Sequence, residues 1–393
     1  MNTQNTPVHV NLWHKDFWVL SIANMLLAVV MYMQLPLLPA WMADSLGATP
    51  SEIGAAMGMV GIGVFFLGGL CSYWVQHYRR NRVCLWAIFG ILLALGALYY
   101  WHTHYLGHYL GIRVVMAIRF VLGAAYGLAQ MVLSSTLIID KCESFQRTEA
   151  NHASAWFSRL ALSIGPAATI VLLPLLGFET VVVITCGVCL LVMLLILSVK
   201  FPFKAPEENL HAFSLDRFFL PQGKWLFLNL LMVATVMGLL FSIERSYVFY
   251  VMLMVGFFFA LLAQRFVFAN AELKSEVTTG LLLMGASVLL LVSGEWRAVH
   301  FFSPVFLGCG FGIACARFLL FFIKLSDHCQ RGTSQSTYFL ACEAGVSLGL
   351  FIGYALLPGN LTAIAAASLS LTALALVMYL LFTHRWYMAN KSR

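Results

Sequence analysis

Arg159 and Glu343 carry charge inside stretches of sequence that otherwise hold none. Arg159 sits near the middle of "HASAWFSRLALSIGPAATIVLLPLLGF" (152–178), and Glu343 lies within "STYFLACEAGVSLGLFIGYALL" (336–357). A charge at the centre of a bilayer costs at least ~2.5–3.5 kcal/mol on insertion scales, and such residues face protein or a water-filled cavity. A carboxyl there can take up and release a proton, or give way to a charged substrate, while a guanidinium nearby biases its charge. The structural alternative is a static bridge that fixes helix register. Arg119 and Arg317 are the two other charges inside apolar runs; Arg317, with Lys324 nearby, can also snorkel to an interface.

Uncharged polar groups accompany them. Tyr126, Gln130 and Ser134 follow Arg119 at helical spacing, and Trp156 shares a helix face with His152, Arg159, Ser163 and Pro166. Glu343, Ser347 and Tyr354 share one side of their helix, while Gly345, Gly349 and Gly353 form a small-residue stripe on the other, suited to close packing. Asn24, Tyr32 and Gln34 precede two prolines, Pro36 and Pro39, which suit a kinked helix end. Asn24, Gln34 and Asn229 could hydrogen-bond either a substrate or a neighbouring helix. Three histidines, His102, His104 and His108, could capture a metal, but the surrounding Trp and Tyr residues fit an interfacial aromatic belt. Asp140, Lys141, Glu143 and Arg147 form either a gating charge cluster or a solvated loop. Enzyme signatures and a phosphate-binding Gly-Lys-Ser/Thr loop are missing, so neither catalysis nor ATP drive is expected, and no cofactor or metal is called for.

The elements that must position these groups are membrane helices. Hydrophobic residues make up 61% of the 393, and charged residues only 10%, where a soluble domain carries roughly a quarter charged. Apolar runs of about 20 residues recur along the chain, which predicts an all-α polytopic membrane protein rather than a barrel. Twelve spans are expected, near 17–40, 53–76, 82–100, 112–138, 153–176, 179–199, 223–243, 247–266, 277–294, 299–324, 334–357 and 361–383. With the N-terminus inside, 17 Lys and Arg fall in inner segments and 3 in outer ones, so both termini are expected in the cytoplasm. The net charge of +7 is therefore a topology signal and does not argue for nucleic acid. The first 16 residues are polar and no cleavage site follows, so the first span is expected to act as the insertion signal. None of the nine cysteines falls in an outer loop, and no structural disulfide is expected.

The longest polar interruption, 200–225, leaves six spans on each side. It predicts an N-terminal six-helix bundle (1–199), a cytoplasmic linker (200–222) and a C-terminal six-helix bundle (223–393). Within the linker, "FSLDRFFL" reads as a short amphipathic surface segment or a plain loop. The halves carry matching text. "FQRTEANHASAWFSRLALSIG" (145–165) aligns with "CQRGTSQSTYFLACEAGVSLG" (329–349) at a constant offset of 184, which sets Arg159 opposite Glu343. "FVLGAAYG" (120–127) aligns with "VFLGCGFG" (305–312) at an offset of 185. Repeats related by an axis along the membrane normal mark transporters, with substrate sites near the midplane between the halves.

On these residues the chain resembles the major facilitator superfamily over its whole length. "PLLPAWMADSLGATPSEIGAAMGMVGIGVFFLGGL" (36–70) is similar to that family's first-to-second-helix passage. "RFVLGAAYG" (119–127), with Arg119, Gly123 and Gly127, resembles its fourth-helix motif, and Gly165-Pro166 resembles the fifth-helix motif of its proton-coupled exporters. The loop between the second and third helices departs from the family pattern. It reads "SYWVQHYRRNR" (72–82), with Gln76 at the family's Asp position and Arg79, Arg80 and Arg82 following. The resemblance implies that the fourth helix lines a central cavity and that Arg119 takes part in proton handling. It also implies a monomeric, multi-pass protein of a bacterial inner membrane, whose partners are protons, a small-molecule substrate and lipid.

The expectation is a secondary active transporter working by alternating access, exporting a partly hydrophobic compound in exchange for protons. Glu343, Arg159 and Arg119 are the expected coupling residues. Asn24, Gln34, Tyr126, Gln130, Trp156, Asn229 and Arg317 are the cavity candidates. Proton symport or facilitated uptake of a nutrient is the alternative. A membrane-embedded enzyme or a non-transporting receptor is the alternative from another class.

Overall fold

The computed structural model describes residues 11–104, 108–201, 211–243, 246–269, 271–293, 297–327 and 330–391. Among them there are helices and turns and no strands. The spans are α1 (Lys15–Leu46), α2 (Pro50–Phe66, continuing after a 43° bend as Gly68–His77), α3 (Arg80–His104) and α4 (Gly111–Asp140). A 52-residue helix, Arg147–Ser198, follows. At 1.5 Å per residue it would be about 78 Å long, more than twice the hydrocarbon thickness. Gly177 breaks it, with φ 77° and ψ 169°, backbone that glycine adopts without a Cβ clash. The two pieces are α5 (147–176) and α6 (178–198). The second half supplies α7 (Lys224–Ile243), α8 (Tyr247–Val267), α9 (Leu273–Ser293), α10 (Ala298–Leu325), α11 (Arg331–Leu356) and α12 (Leu361–Asn390). Of the four-residue separator between α7 and α8, Glu244 and Arg245 lie outside the described residues.

Helix packing repeats between the two six-helix bundles. In the first, α1 packs on α5, α2 on α4, and α3 on α4 and α6; in the second, α7 packs on α11, α8 on α10, and α9 on α10 and α12. Glycines related by the sequence repeat hold equivalent contacts. A Cβ on Gly165 would lie 3.0 Å from the Met33 backbone nitrogen of α1, and one on Gly349 would lie 2.2 Å from the Thr235 carbonyl of α7. Gly123 and Gly127 of α4 meet the Val60 and Val64 carbonyls of α2, while Gly308 of α10 meets the Leu253 carbonyl of α8. Gly345 and Gly353 extend the α11–α7 contact, against Leu231 and Ser242. With lipid tails as apolar as leucine, such backbone approach is what holds membrane helices together.

The bundles meet where α2 packs on α11 and α5 packs on α8. Along the first seam Gly54, Gly58 and Gly61 face Ala355, Phe351 and Ser347. The described part of the linker, from 211 on, lies at one end of the molecule, the linker face. Its segment 211–220 is not an amphipathic helix but a loop with a turn, as the plain-loop alternative has it, partly exposed and tied by hydrogen bonds to both bundles. The Phe218 and Phe213 rings cover Gly68 and Gly69 of α2, and the Ser214 amide donates to the Gly69 carbonyl at 3.0 Å. Asp216 accepts from Ser72 of α2 and from Thr333 of α11, at 3.3 and 3.1 Å. Arg217, held at φ 58°, donates its amide to Thr333 and its guanidinium to Thr136 of α4, at 2.9 and 2.8 Å.

Candidate functional site

Four helices bring polar side chains to the middle of the molecule. α11 carries Glu343, which is 5% exposed. Its Oε1 accepts a hydrogen bond from the Tyr32 hydroxyl of α1 at 2.5 Å and another from the Tyr126 hydroxyl of α4 at 3.3 Å. Both donors belong to the first bundle and the acceptor to the second, so the carboxyl is a polar tie across the interface. Tyr32 reaches it because α1 lies against α5 at Gly165, where any side chain would push the helices apart.

Arg159 of α5 lines the same cavity, 3% exposed. It is not ion-paired with Glu343. Its Nε donates to the Tyr338 hydroxyl of α11 at 3.0 Å, and its guanidinium lies over the Trp156 ring at 4.6 Å from the centroid. Nη1 and Nη2 are buried without a hydrogen-bond partner. The static bridge between the two is therefore not formed. The sequence repeat places the two residues on equivalent helices facing one chamber, but equivalence under a pseudo-twofold does not bring side chains into contact.

Gln130, Ser134, Gln335 and Ser158 add polar groups to the wall, and Leu162, Phe311, Phe339 and Val346 supply apolar surface. The chamber offers about 40 Å³ to water-sized occupants, room for a few waters. In this conformation it does not hold anything larger. At the face opposite the linker, a wider vestibule of about 930 Å³ opens between the bundles, lined in part by Asp44, Ser242, His300 and Tyr354.

Other candidates are placed elsewhere. Asn24 is buried and serves helix packing: its amide donates to Ser154 and Ser158 of α5, and it accepts from Gln130 of α4 at 2.6 Å. Asn229 ties α7 to α12 through the Ala375 carbonyl at 3.1 Å and does not line the chamber. Gln34 is fully buried, with both amide atoms lacking a partner, and also lies outside the chamber wall. Arg119 is 3% exposed, donates from Nη2 to the Met57 sulfur at 3.9 Å, and leaves Nε and Nη1 without hydrogen-bond partners. Arg317 forms a two-pronged ion pair with Glu276 of α9, which is fully buried, so its charge is answered within the second bundle. Nothing in the sequence singles out Glu276, Tyr338, Ser158 or Gln335.

At the linker face, Arg80 pairs with Asp140, and Lys141 pairs with Asp16 at 2.8 Å. These pairs stay within the first bundle and do not bridge the two. Gln76 ends α2 half-buried, while Arg79 and Arg82 are exposed. His102 of the histidine run accepts from the Trp41 indole at 2.7 Å and lies against Phe178, as an aromatic belt residue would; the His108 side chain lies outside the described residues.

The family model described as Major Facilitator Superfamily matches residues 20–263. No curated protein sequence matches the chain. Among solved structures, the chain is similar to the POT family transporter PepTSo, with 10% identity over 96% of this chain and 99% of that one and a TM-score of 0.71. It is similar to a bacterial homologue of the iron transporter ferroportin in its outward-facing state (14% identity, 95% and 100% covered, TM-score 0.69). It is also similar to the nucleoside transporter NupG (14%, 93% and 99% covered, TM-score 0.62). At such identities the likeness is one of fold.

Proposed function

The chain belongs to the major facilitator superfamily, and from that premise we propose a secondary active transporter in which Glu343 carries the coupling proton. The observation that carries this reading is the pair of phenols, Tyr32 and Tyr126, converging on the carboxyl from the opposite bundle. Ionised Glu343 accepts both hydrogen bonds strongly and draws the bundles together; protonated Glu343 accepts them weakly and lets the bundles part. Protonation and alternating access are then one event. Arg119, buried and without an acid, completes the set of intramembrane charges available to the proton path.

The Lys and Arg bias supports an orientation with the linker face and both termini in the cytoplasm of a bacterial inner membrane. The protein works as a monomer whose halves are the 1–199 and 223–393 bundles. Gly165-Pro166 supports export of a partly hydrophobic compound in exchange for protons. A second reading, uptake with the proton, is favoured by Arg159, a chamber-lining residue whose Nη groups are buried and unpaired. With Glu343 protonated, an anion beside Arg159 leaves the chamber neutral.

The test uses proteoliposomes with an imposed pH gradient and a panel of candidate solutes. Glu343→Gln is expected to abolish gradient-driven flux and spare solute exchange. Gradient-driven flux that survives the substitution removes Glu343 from the coupling role.

A further inference from the structure

We propose that Arg159 is the anchor for a carboxylate on the transported molecule, and that the substrates are monocarboxylates with an apolar body. The proposal rests on the reading of the central chamber as the transport site, but it does not require Glu343 to be the proton carrier.

The geometry of Arg159 carries the argument. A buried guanidinium is ordinarily paired, because burying unanswered charge is costly. Here no Asp or Glu among the described residues forms an ion pair with it. One of its three nitrogens is engaged, Nε with the Tyr338 hydroxyl at 3.0 Å, and the planar group is pinned over Trp156. The end carrying Nη1 and Nη2 is left buried and without partners, on a residue that lines the chamber. Two parallel N–H groups at the end of a rigid fork match the two oxygens of a carboxylate.

The rest of the wall narrows the class. No lysine and no second arginine lines the chamber, so a dianion such as a phosphate monoester meets only one cation. An ammonium group would meet Arg159 as a like charge, and the one acid of the wall, Glu343, already accepts from Tyr32 and Tyr126. Leu162, Phe311, Phe339 and Val346 offer an apolar surface for the body of the molecule. Gln335 and Gln130, each with an unpartnered side-chain oxygen, offer acceptors for a hydroxyl or amide on it.

The test is binding to purified protein in detergent, read as the rise in apparent melting temperature that any ligand of the folded state produces. The probes are acetate, isovalerate, 3-phenylpropionate and indole-3-acetate. The controls are the amides of the last two, 3-phenylpropylamine, and phenyl phosphate. At least one apolar carboxylate is expected to raise the melting temperature while its amide, the amine and the phosphate do not. Arg159→Lys keeps the charge but removes the fork, and Arg159→Met removes both. Each is expected to weaken carboxylate binding by about a hundredfold. Should the Met variant fail to fold, the Lys variant decides. The proposal is overturned if no carboxylate of the panel binds, if amides bind as well as acids, or if Arg159→Lys binds like the parent. Glu343→Gln is run in parallel. Carboxylate binding that persists there, with gradient-driven flux lost or unchanged, reports separately on the coupling reading.

Discussion

Tyr32 on α1 and Glu343 on α11 share a hydrogen bond of 2.5 Å across the seam between the two bundles, though 311 positions separate them in sequence. A bond donated to a charged group contributes about 1.5–3 kcal/mol, so deleting the donor raises the population of parted bundles by about tenfold or more. Tyr32→Phe is expected to lengthen and broaden distances between spin labels placed at Asp44 and His300, which line the vestibule from different bundles. Tyr126→Phe, whose bond is 3.3 Å, has the smaller effect. Distances unchanged from the parent in the Tyr32 variant would refute the tie.

The α11–α7 contact predicts a sharp contrast between two glycines. Gly349→Ala drives a methyl to 2.2 Å from a backbone carbonyl. Overpacking of this kind costs about 1–3 kcal/mol, seen as a lower melting temperature in detergent. Gly96→Ala, in the interior of α3 with nothing within 4 Å of the added carbon, gains about 0.5–1 kcal/mol of helix stability. Equal melting temperatures for the two variants would mean that α11 and α7 do not meet as described.

The Arg317–Glu276 pair is buried at its carboxyl end. Removing one partner leaves an unanswered charge and costs about 3–5 kcal/mol, whereas replacing both by apolar residues is close to neutral. Arg317→Leu alone is therefore expected to lower yield and melting temperature markedly, and Arg317→Leu combined with Glu276→Leu to restore them. A double variant as unstable as the single one would indicate that Arg317 has work beyond the pair.

Cys142, in the turn between α4 and α5, donates to the Ile138 carbonyl, and burial pushes its thiol up to about 12, partly opposed by the Arg147 charge. The thiolate is the reactive form. Maleimide labelling of the folded protein at Cys142 should thus be slow near neutral pH and rise about tenfold per pH unit towards that value. Mass spectrometry of the digested protein reads it out. Fast labelling at neutral pH would show that this turn opens freely.

The sequence repeat was legible in advance because its markers, Gly165 with Gly349 and Gly123 with Gly308, stand where two backbones touch and no other residue fits. The shared chamber of Arg159 and Glu343 followed from the same register. Their partners did not follow. A tyrosine hydroxyl that answers a buried carboxyl looks, in sequence, like any aromatic residue of a membrane helix, so Tyr32 was only a neighbour of Gln34 and Tyr338 went unremarked. Glu276 escaped because it lies in the first turn of α9, just before the hydropathy pattern begins. Asn24 and Asn229 illustrate the converse. A buried amide reads the same whether it faces a substrate or another helix, and in both cases helices claimed it.

The segment 211–220, hydrogen-bonded to both bundles at the linker face, is part of the covalent bridge between them. A strap of this kind rebinds within one molecule, at an effective concentration in the millimolar range for a short tether. In the proposed cycle its contacts with Ser72, Thr136 and Thr333 can therefore re-form without a diffusive search, and the entropy of closing the strap changes only slowly with its length, by about 0.6 kcal/mol per doubling.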